Sequence, residues 1–398
     1  MGELLKLDEA LAALRREVRP LYGEKSIVDV AEDVRRIFIG EEPRLLKLTS
    51  TSRIVVLVID SLGLNLLARG YLRSLAGEAD SVSWVTSVAP STTASALASL
   101  FTGEPPARHG VLGYRMFVKE LGAVIRTLSF SPAVGGVNEG LREAGVEVWL
   151  NRAPTIFESL TPMGVKCYCF TSHADSTYTA QVARGARLVE ARGLSELLHL
   201  SLTAIRRGTR TLVYAYWAAL DRASHEYGPF SRPVRYLLAG LERTLLEFLR
   251  DFRGVRGSTL IILADHGQVS VRGGERINLY EVPGLLDALL IPPFGEARFT
   301  YLKAADPEAL EARCHEALER HAQLLKLEEY APLLGAERED EVNRLGKVAS
   351  HVLVARGRAM LIYPYRGEEL SSELKGHHGG LTGHEMLVPL LIFESKAG

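Results

Sequence analysis

Cysteine is scarce in this chain: three residues in 398, Cys167, Cys169 and Cys314. That excludes a disulfide framework. Cys167 and Cys169 lie two apart in VKCYCF, so on a strand they share a face but are poorly placed to bridge, and they read as small buried apolar residues. An excess of one charge is missing too, with 47 Lys and Arg against 48 Asp and Glu. The balance offers nothing for a nucleic-acid groove or a polybasic membrane patch. It does not argue against a phosphate ester, whose charge bound cations can meet in place of Lys and Arg. No apolar run approaches the roughly 20 residues that span a bilayer. The opening MGELLKLDEALAALRREVRPLYG is charged and periodic, without the apolar core of a signal peptide. Internal repeats, low-complexity tracts and long flexible linkers are also lacking. A cytoplasmic enzyme without a membrane partner fits these absences; they carry no information on oligomeric state.

What is present is apolar sequence, 47% of the chain, enough for a large core and for more than one domain. Up to about Lys47 the pattern is helical, with Leu4, Leu7, Leu11 and Leu14 on one face. Residues 1–50 are therefore expected to form a helical segment packed on the core. From Arg53 onward apolar runs alternate with helical stretches. The expected strands are RIVVLVI, SVSWVTS, EVWL, VKCYCFT, TLVYAYW, STLIILA, SHVLVA, AMLIY and MLVPLLIF. Between them lie helices such as RPVRYLLAGLERTLLEFLRDF, which Pro233 starts well. Alternating βα units predict an α/β fold with a doubly wound, mostly parallel sheet. The block 276–347 breaks the alternation with a short β-run and a helix signalled by Asp306-Pro307. It reads as a small α+β insertion or cap dividing a catalytic core of residues 51–275 and 348–398.

Against this background, polar residues stand where apolar runs end: Asp60 after RIVVLVI, Asp221 and His225 in LDRASHEYGP, Asp265 and His266 in LIILADHG, and His378 in GHHGGLTGHEMLVPLLIF. The core requires the run and not the charge. Singly, each Asp could be a helix N-cap and each His a hydrogen-bonded structural residue. Together they predict a metal-dependent hydrolase with its site along one sheet edge, the usual ligand position in this architecture. Asp221 and His225 are four apart, so a helical turn points both at one centre. Gly267 after Asp265-His266 permits close backbone approach. Carboxylate and imidazole ligands without thiolates suit zinc or manganese, with iron a further option. In PSTTASALASLFTG a hydroxyl falls at a helix N-terminus, where free amides and the dipole favour an anion. Ser91, Thr92 and Thr93 all qualify, and a plain N-cap would also explain them.

These motifs resemble the alkaline phosphatase superfamily, and within it the type I phosphodiesterase/nucleotide pyrophosphatase branch. The resemblance runs from Arg53 to the C-terminus. It rests on the Thr stretch ending in TG before PARHG, on D-x-x-x-H-x-x-G-P, on ADHG, and on HGG before MLVP. It implies an alkaline-phosphatase-like fold and two divalent ions, zinc first and manganese second. Asp221, His225 and His378 would hold one ion; Asp60, Asp265 and His266 would hold the other, with Thr93 also bound there. Thr93 would be the nucleophile, giving a phospho-threonine intermediate, with Thr92 the runner-up; His377 is the weaker alternative to His378. The substrate would be a small phosphate ester.

The sequence departs from that branch where its asparagine should stand, near Gly113-Tyr114, which argues against nucleotide substrates. Tyr114 reads as a packed aromatic, His109 as structural, and His173 as a polar residue near the site. A phosphomonoesterase or phosphomutase on the same fold is the enzymatic alternative, although the insertion is small for a mutase. A sulfatase is disfavoured, since TTASA replaces its C/S-x-P-x-R. A catalytically inactive binding module would be expected to have lost ligands, and none is missing.

Overall fold

A computed structural model describes residues 11–14, 16–48, 51–135, 138–365 and 374–395. Its centre is a seven-stranded sheet made of β1 (Arg53–Ile59), β2 (Ser81–Thr86), β3 (Lys166–Thr171), β4 (Arg187–Glu190), β5 (Thr211–Trp217), β6 (Ser258–Leu263) and β7 (Leu387–Glu394). The spatial order is β2-β7-β6-β1-β5-β3-β4. Strands β6, β1, β5, β3 and β4 are mutually parallel. Strand β7 runs antiparallel to both of its neighbours, β6 and β2. The α/β fold with a mostly parallel sheet is thus as the alternation implied. Helices cover both faces, so the central strands are uninterrupted apolar runs: all six residues of β6 are buried, as are the last six of β1.

Among the helices are α1 (Ile27–Ile39), α2 (Thr93–Thr102), α3 (Ala219–Tyr227) and α4 (Arg232–Phe252). Helix α4 is capped by Ser231, with Pro233 in its first turn, and buries Val234, Leu238, Leu241, Leu245, Phe248 and Phe252 along one face. Leu14 packs on Leu64 and Leu387, with Leu11 beside them; Leu4 and Leu7 lie outside the described residues. Cys167 and Cys169 are both buried on β3, where burial pushes their thiols up to about 11 and about 12. No helix among the described residues is long and apolar enough to cross a membrane.

Three expected strands did not join the main sheet. EVWL forms no strand: the Leu150 N–H donates to Gln181 Oε1 and the Val148 carbonyl accepts from Gln181 Nε2, so a side-chain amide takes the place of a strand partner. SHVLVA does form a strand, His351–Ala355, but between Phe299–Leu302 and Ala322–Lys326 in a separate four-stranded antiparallel sheet that also holds Phe294–Glu296. AMLIY contributes Met360–Ile362, whose one strand partner among the described residues is Arg276–Asn278. Strand β4 went unforeseen, being a short edge strand with both ends exposed. Helix Pro307–Leu318 begins as its sequence suggests, with the Asp306 carboxylate accepting from the Ala309 N–H at 3.0 Å.

Candidate active site

Three adjacent parallel strands end at one edge, and each passes polar residues to it. Asp60 follows β1; α3, directly after β5, carries Asp221 and His225; Asp265 and His266 follow β6. Thr93 is the first residue of α2. His378 precedes β7, and because β7 is antiparallel, its start lies where its parallel neighbours end. The topology thus brings all seven expected site residues to the carboxyl edge of the sheet.

They form two adjoining groups. His225 Nε2 and His378 Nε2 stand 3.4 and 3.7 Å from Asp221 Oδ1. His266 Nε2 stands 3.6 Å from Asp60 Oδ1, 3.5 Å from Asp265 Oδ2 and 3.1 Å from Thr93 Oγ1. Asp221 adjoins both: a ligand atom from each of Asp221, His225 and His378, and likewise of Asp60, Asp221 and His266, lies within 4.8 Å of the others.

Hydrogen bonds outside the groups aim these ligands. His225, His266 and His378 each direct Nδ1 at a backbone carbonyl, of Gly376 at 2.9 Å, Gly267 at 3.0 Å and Ser91 at 3.1 Å. An Nδ1–H donated there leaves the Nε2 lone pair facing the site. The Tyr216 hydroxyl donates to Asp60 Oδ2, and Gln268 Nε2 donates to Asp221 Oδ1 at 2.5 Å. Asp265 Oδ1 accepts from the N–H groups of Ser61 and His266. The opposite oxygens, Asp60 Oδ1 and Asp265 Oδ2, are buried without a hydrogen-bond partner among the described residues, a costly state for a carboxylate. These are the same two oxygens that face His266 Nε2. Burial, reinforced by the Asp221 and Asp265 charges, pushes the Asp60 carboxyl well above its usual range. Burial and the neighbouring imidazoles of His266 and His225 push His378 well below its own. Orphaned carboxylate oxygens beside imidazole nitrogens are the donor set a divalent cation fits.

The flanking candidates sort by geometry. Thr92 is the N-cap of α2 and 2% exposed; Thr93 keeps 8% exposure at the cavity floor. His377 Nδ1 accepts the His378 N–H at 3.0 Å, and burial together with His225 pushes its imidazole down to about 3. Buried His109 lies 2.9 Å from Ser99 Oγ and accepts the Val111 N–H, bracing α2 from within. Two cavities of about 340 and 330 Å3 meet at Thr93, Tyr114 and Leu128. Arg115, Glu296, Tyr363 and Tyr365 line the first; Leu97, Phe101, His173 and Tyr178 line the second.

Sequence reasoning missed Tyr216, Gln268 and Glu296. A tyrosine at the end of TLVYAYW, beside the strand that delivers Asp60, and a polar residue two past ADH were readable signals for the first two. Nothing in IPPFGEARF marks Glu296, whose position depends on how the second sheet docks.

The sequence model of the type I phosphodiesterase / nucleotide pyrophosphatase family matches residues 54–381. Among curated protein sequences none matches the chain. Solved structures share the fold. Murine ectonucleotide pyrophosphatase / phosphodiesterase 5 superposes with a TM-score of 0.62 at 14% identity, covering 85% of this chain and 87% of its own. An inactive variant of that mouse protein, solved with AMP, gives 0.62 at 14%, covering 86% and 88%. Phosphonoacetate hydrolase from Sinorhizobium meliloti, solved with phosphonoacetate, gives 0.63 at 17%, covering 86% and 90%. With the family match spanning every ligand motif, the chain belongs to the type I phosphodiesterase / nucleotide pyrophosphatase family of phosphoric ester hydrolases.

Proposed function

We propose that the enzyme hydrolyses a small phosphate diester through a phospho-threonine intermediate on Thr93. The observation that carries this reading is the Thr93 hydroxyl, 3.1 Å from His266 Nε2 and beside the unpartnered oxygens Asp60 Oδ1 and Asp265 Oδ2. Asp221, His225 and His378 would hold one divalent ion, and Asp60, Asp265 and His266 a second, zinc first and manganese as the alternative. Bound there, such ions supply charge stabilisation for the phosphoryl oxygens and lower the pKa of a hydroxyl.

The protein's own residues would do the rest. Thr93 Oγ1 attacks phosphorus, forming the Oγ–P bond as the P–O bond to the leaving alcohol breaks. Water then breaks the Oγ–P bond, releasing the phosphoryl product and restoring the hydroxyl. The N-terminus of α2 presents backbone amides toward the developing charge. Burial of Asp60, Asp265 and His266 keeps the cluster dry, where electrostatic stabilisation is strongest. Residues 276–347, extended by the strand His351–Ala355, serve in this reading as an insertion walling one cavity. The buried free cysteines fit a reducing compartment, and we place the enzyme in the cytoplasm.

The decisive experiment compares bis(p-nitrophenyl) phosphate with p-nitrophenyl phosphate under the same zinc or manganese supply, with metal content measured. Higher kcat/KM on the diester supports the proposal. A strong monoester preference would move the reading to a phosphatase or mutase. Purification without metal, and without activity on either ester, would indicate a binding module.

A further inference from the structure

Outside the ligand groups, the most unusual buried polar feature is the hairpin Phe294–Leu302. Its strands Phe294–Glu296 and Phe299–Leu302 pair antiparallel, and its turn carries Arg298, fully buried. Arg298 makes a bidentate ion pair with buried Glu385, Nε to Oε1 at 2.6 Å and Nη2 to Oε2 at 3.0 Å, and its Nη1 donates to the Ala359 carbonyl. Glu385 in turn accepts from the Gly380 N–H at 2.8 Å, two residues after His378. The tip of the hairpin is therefore fastened to the loop that delivers His378.

Two residues before Arg298, Glu296 is held on the cavity wall. Its Oε1 accepts the Tyr114 N–H at 2.6 Å. Gly379, at φ +111°, leaves room for it, since a Cβ there would come within 2.8 Å of Glu296 Cβ. Thr92, Thr93, Asp221, His225 and His378 line the same cavity. A carboxylate thus stands at a fixed position in the chamber of the nucleophile, belongs to neither ligand group, and has no part in the mechanism above.

We propose that Glu296 is a specificity-determining residue that disfavours phosphate monoesters by charge, resting on the phosphodiesterase reading of the same site. A diester carries one negative charge, whereas a monoester, with its second pKa near 6, approaches two at neutral pH. Bound cations attract both forms, so the discrimination must come from another group. Burial raises the Glu296 carboxyl above its ordinary value, while the Tyr114 N–H, the Thr92 hydroxyl and the Arg115 charge favour its ionised form; ionised, it repels the second charge in a low-dielectric site, where like charges interact strongly. The Tyr114 N–H bond to its Oε1, on a hairpin whose tip Arg298 fastens to Glu385, holds the carboxylate against swinging away to relieve the repulsion.

The test measures kcat/KM for bis(p-nitrophenyl) phosphate and p-nitrophenyl phosphate with the zinc-loaded wild type, Glu296→Gln and Glu296→Asp. Glu296→Gln removes the charge while keeping an acceptor for Tyr114, and should raise the monoester-to-diester ratio by about tenfold or more. Glu296→Asp, which keeps the charge, should leave the ratio nearer the wild type. An unchanged ratio in a folded, metal-replete Glu296→Gln protein, or equal losses on both esters, overturns the inference. A purely positioning residue would give that second pattern. Should the variants fail to fold, inhibition of the wild type decides: weaker inhibition by phenyl phosphate than by phenyl methylphosphonate, a monoanion of similar size, supports it, and the reverse order overturns it. Absence of activity on both esters in the metal-loaded wild type overturns the hydrolase reading itself, and the charge filter with it.

Discussion

The rings of His266 and His378 stack with centroids 3.9 Å apart and planes 21° from parallel. One belongs to the group around Asp60 and the other to the group around Asp221, so the two proposed ion sites share a wall of imidazole. Each ring is pinned from behind by a backbone carbonyl.

The first expectation concerns metal. Exhaustive chelation should abolish hydrolysis, and zinc or manganese should restore it. Far-UV circular dichroism should change little, because the buried strands β1 and β6 owe their stability to apolar burial. Full activity in protein shown by elemental analysis to be metal-free would sink the two-ion reading.

The nucleophile can be tested one position at a time. Thr93→Ala should lower kcat by about a thousandfold or more while metal content holds, and Thr93→Ser should keep a measurable rate. Near-normal activity in Thr93→Ala together with a dead Thr92→Ala would shift the register by one residue.

Neighbouring histidines should differ. His378→Ala and His225→Ala should each weaken one ion site and leave the other loaded. His377→Ala should cost only about tenfold to a hundredfold, as for groups that orient a ligand without being one. Stoichiometry by elemental analysis separates the cases, and a coordinated His377 with His378 turned away would reverse them.

The Arg298–Glu385 pair, both side chains fully buried, makes a prediction about stability. Arg298→Met leaves the Glu385 charge uncompensated and should destabilise the protein by about 3–5 kcal/mol in urea unfolding. Adding Glu385→Met should recover part of that loss. A single variant as stable as the wild type would contradict the burial of the pair.

Acid sensitivity should trace in part to His109. Burial pushes its imidazole from the ordinary 6.5 down to about 3. As pH falls through 6.5 the unfolded chain takes up this proton, and the folded chain does so only near 3. The contribution is therefore complete above the upper value and is lost progressively below it. Melting temperature should fall with pH across that window, less steeply in His109→Gln; parallel slopes for the two proteins would exclude the assignment.

Much of the fold was readable because a sheet covered on both faces demands uninterrupted apolar runs, and RIVVLVI and STLIILA are such runs. EVWL, SHVLVA and AMLIY carry the same local signal, yet their backbones pair with a glutamine side chain, a second sheet and a lone partner strand. Local propensity reports that a segment suits extended structure. It holds no information on which edge the segment will find.

The same division separates the candidate site. Asp60, Asp265 and His266 could be named from sequence, because a charge ending an apolar strand needs a reason beyond packing, and the four-residue spacing of Asp221 and His225 points both from one helix. His378 could be named from the HGG motif, with His377 the alternative; what the tertiary structure adds is the route by which it reaches them, through β7 running against its neighbours and starting where they finish. The tertiary structure alone brought Tyr216 to Asp60, Gln268 to Asp221 and Glu296 to the cavity wall. Those contacts join residues far apart in the chain, and their energies depend on burial and distance, which exist only once the sheets and the hairpin have packed.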